Sequence, residues 1–90
     1  YCFINIPSIS LLEWHPFSIS NYSNSKSLFT FHIKDMGRNT FTNKLIKLIE
    51  TKKETNENPI IFLDGPYGKL SYPIKEFQSI ILISGGIGIT

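Results

Sequence analysis

Residues 1–6 set small-to-medium aliphatic or thiol side chains against aromatic and polar ones with a period of two. Cys2, Ile4 and Ile6 fall on one side and Tyr1, Phe3 and Asn5 on the other, which predicts a strand that Pro7 ends. Phe17 and Ile19 alternate with Ser18 and Ser20, predicting a second strand. Leu28 to Lys34 gives the clearest one, with Phe29, Phe31 and Ile33 on one face and Thr30, His32 and Lys34 on the other. Between these, Leu11, Leu12 and Trp14 are expected to pack back on the core, and the small polar run Asn21 to Ser27 to form a loop. The period then changes. Phe41, Leu45, Leu48 and Ile49 recur at helical spacing, with Asn39 or Thr40 as N-cap. Thr51 to Asn58 reads as a solvated linker closed by Pro59, Ile60 to Leu63 as a short buried strand, and Asp64 to Gly68 as a turn. Lys69 to Gln78 carries little pattern. Ile80 to Ile83 is apolar on both faces, as a central parallel strand would be. About five short strands and one helix predict a mainly β chain built on a small antiparallel barrel, with an α/β domain beginning near residue 79.

Composition narrows the function. Ninety residues allow one complete domain at most, and 41% hydrophobic content is too much for disorder. A net charge of +2 is too small for a nucleic-acid platform, so no nucleic-acid partner is expected. No apolar run is long enough to span a bilayer, and no signal peptide is visible. A single cysteine, Cys2, excludes an internal disulfide framework, and two histidines 17 positions apart with no third ligand argue against a metal site. With 15 Ile and no Val or Ala, isoleucine fills the strand positions that valine usually shares. Both ends have the character of a cut. The chain starts inside an alternation and stops just after a glycine cluster that should open another element.

Four strings offer chemistry. Glu13-Trp14-His15-Pro16-Phe17-Ser18 supplies a ring, a hydroxyl and an imidazole, parts that a flat heteroaromatic ligand with a phosphate would use. The residues alone favour a plain strand start, with Phe17 in the core and His15 on the surface. Lys34, Gly37, Arg38 and Thr40 place cations and a glycine turn at a helix N-terminus, where anions are favoured. A capped surface helix with two solvated cations would look the same. Gly85-Gly86-Ile87-Gly88 after an apolar run resembles a nucleotide phosphate loop, whose confirming helix would lie beyond Thr90. Asp64 to Gly68, taken alone, is a turn.

In this order, the strings resemble the dehydrogenase region of NADPH oxidases, superoxide-generating flavocytochromes, whose layout ferric-chelate reductases share. The motifs are Leu-Glu-Trp-His-Pro-Phe-Ser-Ile-Ser, Phe-His-Ile-Lys, Gly-x-x-Thr opening a helix, Asp-Gly-Pro-Tyr-Gly, and Gly-Gly-Ile-Gly-Ile-Thr. The resemblance implies an antiparallel FAD-binding barrel of the ferredoxin-reductase type with one phosphate-side helix over residues 1–78. Residues 79–90 would begin an α/β NADPH-binding domain. The barrel's opening strands and most of the NADPH domain would lie outside this chain.

The resemblance also implies roles. Trp14, His15, Pro16, Phe17 and Ser18 match the flavin-binding motif, with Phe17 against the isoalloxazine, Ser18 near its N5 edge as the catalytic residue, and His15 towards the phosphates. Ile33, Lys34, Gly37 and Thr40 match the FAD-phosphate side. Gly85, Gly86, Ile87, Gly88 and Thr90 match the NADPH-phosphate loop, and Asp64 to Gly68 a turn close to where flavin and nicotinamide meet. The family commonly has Trp before the threonine, where this chain has Asn39. The implied cofactors are FAD and NADPH, with haem in a transmembrane domain of the same protein. The implied setting is the cytosolic face of a plasma or endosomal membrane, alongside membrane or cytosolic regulatory subunits. A ferric or cupric chelate is the alternative final acceptor, and a non-catalytic flavin-binding barrel the alternative outside enzymes. Alone, the piece is expected to be catalytically silent, and to aggregate or bind FAD weakly.

Overall fold

A computed structural model of the chain describes residues 1–69 and 71–89. The described residues hold five strands, one α-helix and two 3₁₀ turns: β1 (Cys2–Asn5), β2 (His15–Phe17), β3 (Ile19–Ser23), β4 (Leu28–Phe31), α1 (Phe41–Glu54), β5 (Phe62–Asp64), then turns at Ile74–Glu76 and Gly86–Ile89. The strands form two antiparallel sheets, one in the order β2-β1-β5 and one pairing β3 with β4, with α1 as the single helix. They form no closed barrel.

The core forms where the alternation predicted it. Cys2 and Ile4 in β1 and Ile6 just after it are buried, and Phe41 and Leu45 of α1 pack with Ile4 and Ile6. Ile9, Phe17, Phe31, Ile33 and Leu48 pack around this cluster. Thr40 is the N-cap of α1, with extended dihedrals and an Oγ1 that accepts from the Asn43 amide at 3.2 Å.

Several elements differ from the pattern-based expectation. The strand expected over Phe17 to Ser20 is two strands in different sheets, broken at Ser18. Residues Asn21 to Ser23, expected to be loop, continue β3, because pairing with β4 satisfies their backbone without a buried face. The strand expected to reach Lys34 stops at Phe31, where the pairing with β3 stops. The helix runs on to Glu54, past the expected start of the linker at Thr51.

The remaining differences concern burial. Leu11 and Leu12 do not pack on the core; Leu12 is 90% exposed, and Trp14 stays largely exposed. The loop that carries them is instead held from beneath. Buried Asn5 donates through Nδ2 to the Ser10 and Glu13 carbonyls at 3.0 and 2.8 Å, and Ser10 Oγ accepts from the Leu12 and Glu13 amides. Ile60 to Leu63, expected to be buried, is exposed throughout. The strand there is shifted to Phe62–Asp64, and all three of its residues are exposed. Ile80 to Ile83 is not a strand; no described residue pairs with it, and a strand exists only through its ladder partner.

Candidate functional site

The sheet order makes β2 an edge strand of its sheet, and this is why Pro16 is tolerated inside it. Pairing with β1 sets Cys2 opposite Phe17, Phe3 opposite Pro16 and Ile4 opposite His15. Cross-strand partners share a face. His15 and Phe17 therefore lie on the inner face with Cys2 and Ile4, and Pro16 on the outer face with Phe3. On the inner side Phe41, the first residue of α1, receives both rings. His15 stacks on it at 4.2 Å and Phe17 lies at 6.1 Å, the planes tilted by 29° and 30°.

Pro16 and Phe17 form a ridge between two hollows. One, about 390 Å³, is lined by Tyr1, Phe3, Pro16, Phe17 and Ser18. Strict alternation would send the Ser18 side chain away from Phe17. The break between β2 and β3 at Ser18 lets both line the same hollow. The other hollow, about 240 Å³, lies at the start of α1 and is lined by His15, Pro16, Phe17, Met36, Thr40, Phe41 and Thr42.

The helix start is tied down by side chains. The Thr40 hydroxyl donates to the Gly37 carbonyl at 2.6 Å, and Thr42 Oγ1 accepts from the Met36 amide at 2.9 Å. Asp35 accepts from the Gly37 amide at 2.9 Å and from Asn43 Nδ2 at 3.0 Å, and these bonds hold its carboxyl below the usual carboxylate range. Gly37 has φ of 104° and Asn39 φ of 62°. Asn is the non-glycine residue that best tolerates this left-handed conformation, a backbone reason for Asn39 just before the cap. The first helical amides have no intrahelical acceptor, so the hollow beside Thr40, Phe41 and Thr42 is suited to an anion.

The expected site residues divide accordingly. His15, Pro16, Phe17 and Thr40 come together at one hollow, and Ser18 joins Pro16 and Phe17 at the other. Trp14 and Lys34 are exposed and line neither. Ile33 packs on the core and lines a separate apolar cleft with Ile4, Leu45 and Leu63. Gly37 shapes the turn before the cap. Gly85, Gly86, Ile87 and Gly88 lie in or beside the last 3₁₀ turn and line neither hollow, while Thr90 lies outside the described residues. Tyr1, Phe3, Met36, Phe41 and Thr42 also line the two hollows and were not among the expected site residues. Tyr1 and Phe3 had a signal, being large aromatics on the face of β1 opposite the core.

The turn after β5 borders the first hollow. Tyr67 lies 5.9 Å from the rings of both Tyr1 and Phe3, and its hydroxyl donates to Asp64 Oδ1 at 2.7 Å, which raises the phenol's pKa. The Gly65–Pro66 peptide in this turn is cis.

Residues 1–71 match the family model of an FAD-binding domain. The chain belongs to that FAD-binding family. It is 37% identical over 90 residues to NADPH oxidase 1 of Rattus norvegicus, covering 100% of this chain and 15% of the relative. It is 37% identical over 89 residues to ferric reduction oxidase 4 of Arabidopsis thaliana, covering 98% and 12%. It is 34% identical over 101 residues to a superoxide-generating NADPH oxidase heavy chain of Dictyostelium discoideum, covering 100% and 19%. The chain thus spans less than a fifth of the length of these relatives. No helix among the described residues is long and apolar enough to cross a membrane. The chain's two adjoining hollows offer an aromatic wall with one hydroxyl and a helix start with open amides. A flat ring joined to an anionic tail needs both.

Proposed function

We propose that this chain is the FAD-binding part of a membrane flavocytochrome that carries electrons from NADPH to molecular oxygen. One NADPH would reduce two molecules of oxygen to two of superoxide, leaving NADP⁺ and a proton. In this reading residues 1–78 belong to the FAD-binding domain, and residues 79–90 open an NADPH-binding domain whose phosphate loop is Gly85 to Thr90. Haem in a transmembrane domain of the same protein would supply the one-electron relay to oxygen. The site faces the cytosol, where regulatory subunits can reach it. The carrying observation is that Pro16 and Phe17 wall both hollows, with Ser18 in one and Thr40 in the other.

When bound, FAD supplies the exchange between a two-electron donor and a one-electron acceptor. The protein's own residues bind and orient. Phe17 gives the ring an apolar wall, the Ser18 hydroxyl offers it a hydrogen bond, and His15 with the first turn of α1 meets the diphosphate. No side chain here has to act as general acid or base.

Reduction of a ferric chelate is the second reading, favoured by the ferric reduction oxidases among the relatives. The test uses the full-length protein in membrane vesicles supplied with NADPH, with superoxide dismutase-sensitive reduction of cytochrome c compared against anaerobic reduction of ferric citrate. A dominant dismutase-sensitive signal is expected; ferric reduction without it selects the second reading. In the same vesicles Ser18→Ala should slow NADPH-driven bleaching of the flavin more than it weakens FAD binding. Equal losses would remove Ser18 from its role.

A further inference from the structure

The outer face of the three-stranded sheet carries an ordered row. Register puts Phe3 of β1 opposite Pro16 of β2 on one side and opposite Asp64 of β5 on the other. Pro16, Phe3 and Asp64 therefore share that face, the face on which the larger hollow opens. Phe3 and Pro16 line the hollow; Asp64 does not.

Asp64 reaches the hollow through one intermediary. Its Oδ1 accepts the Tyr67 hydroxyl at 2.7 Å. The Tyr67 ring meets Phe3 edge-on, with centroids 5.9 Å apart and planes at 68°, and lies 5.9 Å from Tyr1. Tyr1 and Phe3 are themselves edge-to-face at 5.6 Å. The Tyr67 amide donates to the Tyr1 carbonyl at 2.7 Å, so ring and backbone are both fixed. Close approach of the turn requires glycine at position 65. Its φ is 133°, and a Cβ there would sit 3.1 Å from the Tyr1 carbonyl oxygen and 3.3 Å from Cys2 Cα.

We propose that Asp64 is a positioning residue of the ring hollow, which through Tyr67 fixes the Tyr1–Phe3 wall and so sets where the flat ring of a bound flavin rests, without touching it. This rests on the FAD reading above and goes beyond it. Without the Asp64 acceptor the Tyr67 ring is held only by aromatic contacts, each soft in angle, and the wall gains rotational freedom.

The test uses the full-length protein loaded with FAD, read by the visible circular dichroism of the bound flavin and by FAD affinity. Asp64→Ala and Tyr67→Phe should both change the dichroism and weaken FAD about three- to tenfold, the scale of one lost hydrogen bond. Asp64→Asn, which keeps an oxygen acceptor for the phenol, should restore both. Tyr67→Phe removes one hydroxyl and carries the test should Asp64→Ala misfold. Dichroism and affinity unchanged in Tyr67→Phe overturn the proposal and leave FAD binding standing, as does Asp64→Asn behaving like Asp64→Ala. A wild-type protein that does not bind FAD overturns both.

Discussion

Residues 1–55 and residues 60–89 are both rich in large apolar side chains, yet they behave differently. In the first stretch Ile4, Ile6, Phe41 and Leu45 are buried, Ile6 completely. In the second, Ile60 to Leu63 and Ile80 to Ile83 are exposed, Ile83 to 95%. The difference is one of pattern. Alternation or helical spacing gives an element one apolar face, and two such faces satisfy each other, as β1 and α1 do. A continuous run has two apolar faces and needs cover on both, which β1 alone does not give β5.

The contrast can be broken experimentally. The largest expected effect is Ile6→Ala, which should cost about 2–5 kcal/mol as a core truncation, while in this 90-residue chain Ile83→Ser, at a position 95% exposed, should stay within about 0.5 kcal/mol. Urea denaturation followed by Trp14 fluorescence measures both, and equal costs would erase the distinction. Next is Asn5→Ala, which strips the buried anchor of the loop that follows β1. A loss of about 1–3 kcal/mol is expected from its unmade hydrogen bonds, with faster amide exchange at Leu12 and Glu13. Thr40→Ala should cost about 1 kcal/mol through the lost cap, and Thr40→Ser should recover most of it. The smallest effect is electrostatic. Asp35 titrates below its ordinary 3.8 in the fold. Its contribution is therefore present above the unfolded value and lost as pH falls through the lowered native one. Asp35→Asn should remove that contribution, lowering stability slightly in the neutral range and leaving the acid end unchanged, so that the acid limb of a stability–pH profile flattens.

The buried face of β1 and the Thr40 cap were legible because each is local: a period of two in one case, a capping residue before a period of 3.6 in the other. The grouping of His15, Pro16, Phe17 and Thr40 came from motif order. Asn5 was not legible. It occupies the polar phase of the alternation, and only the return of the chain at Ser10 to Glu13 buries it. The break at Ser18 was hidden because the period of two continues across it while the sheet changes. The aromatic wall was missed because Tyr1 and Tyr67 are brought together by the pairing of β1 with β5, which no short window contains.

The most direct measurement is an experimental structure of the full-length protein with FAD bound. The isoalloxazine is expected between Phe17 and the Tyr1–Phe3 wall, with the diphosphate beside the first turn of α1 at Thr40. A flavin seated instead in the apolar cleft lined by Ile4, Ile33 and Leu45 would contradict the account.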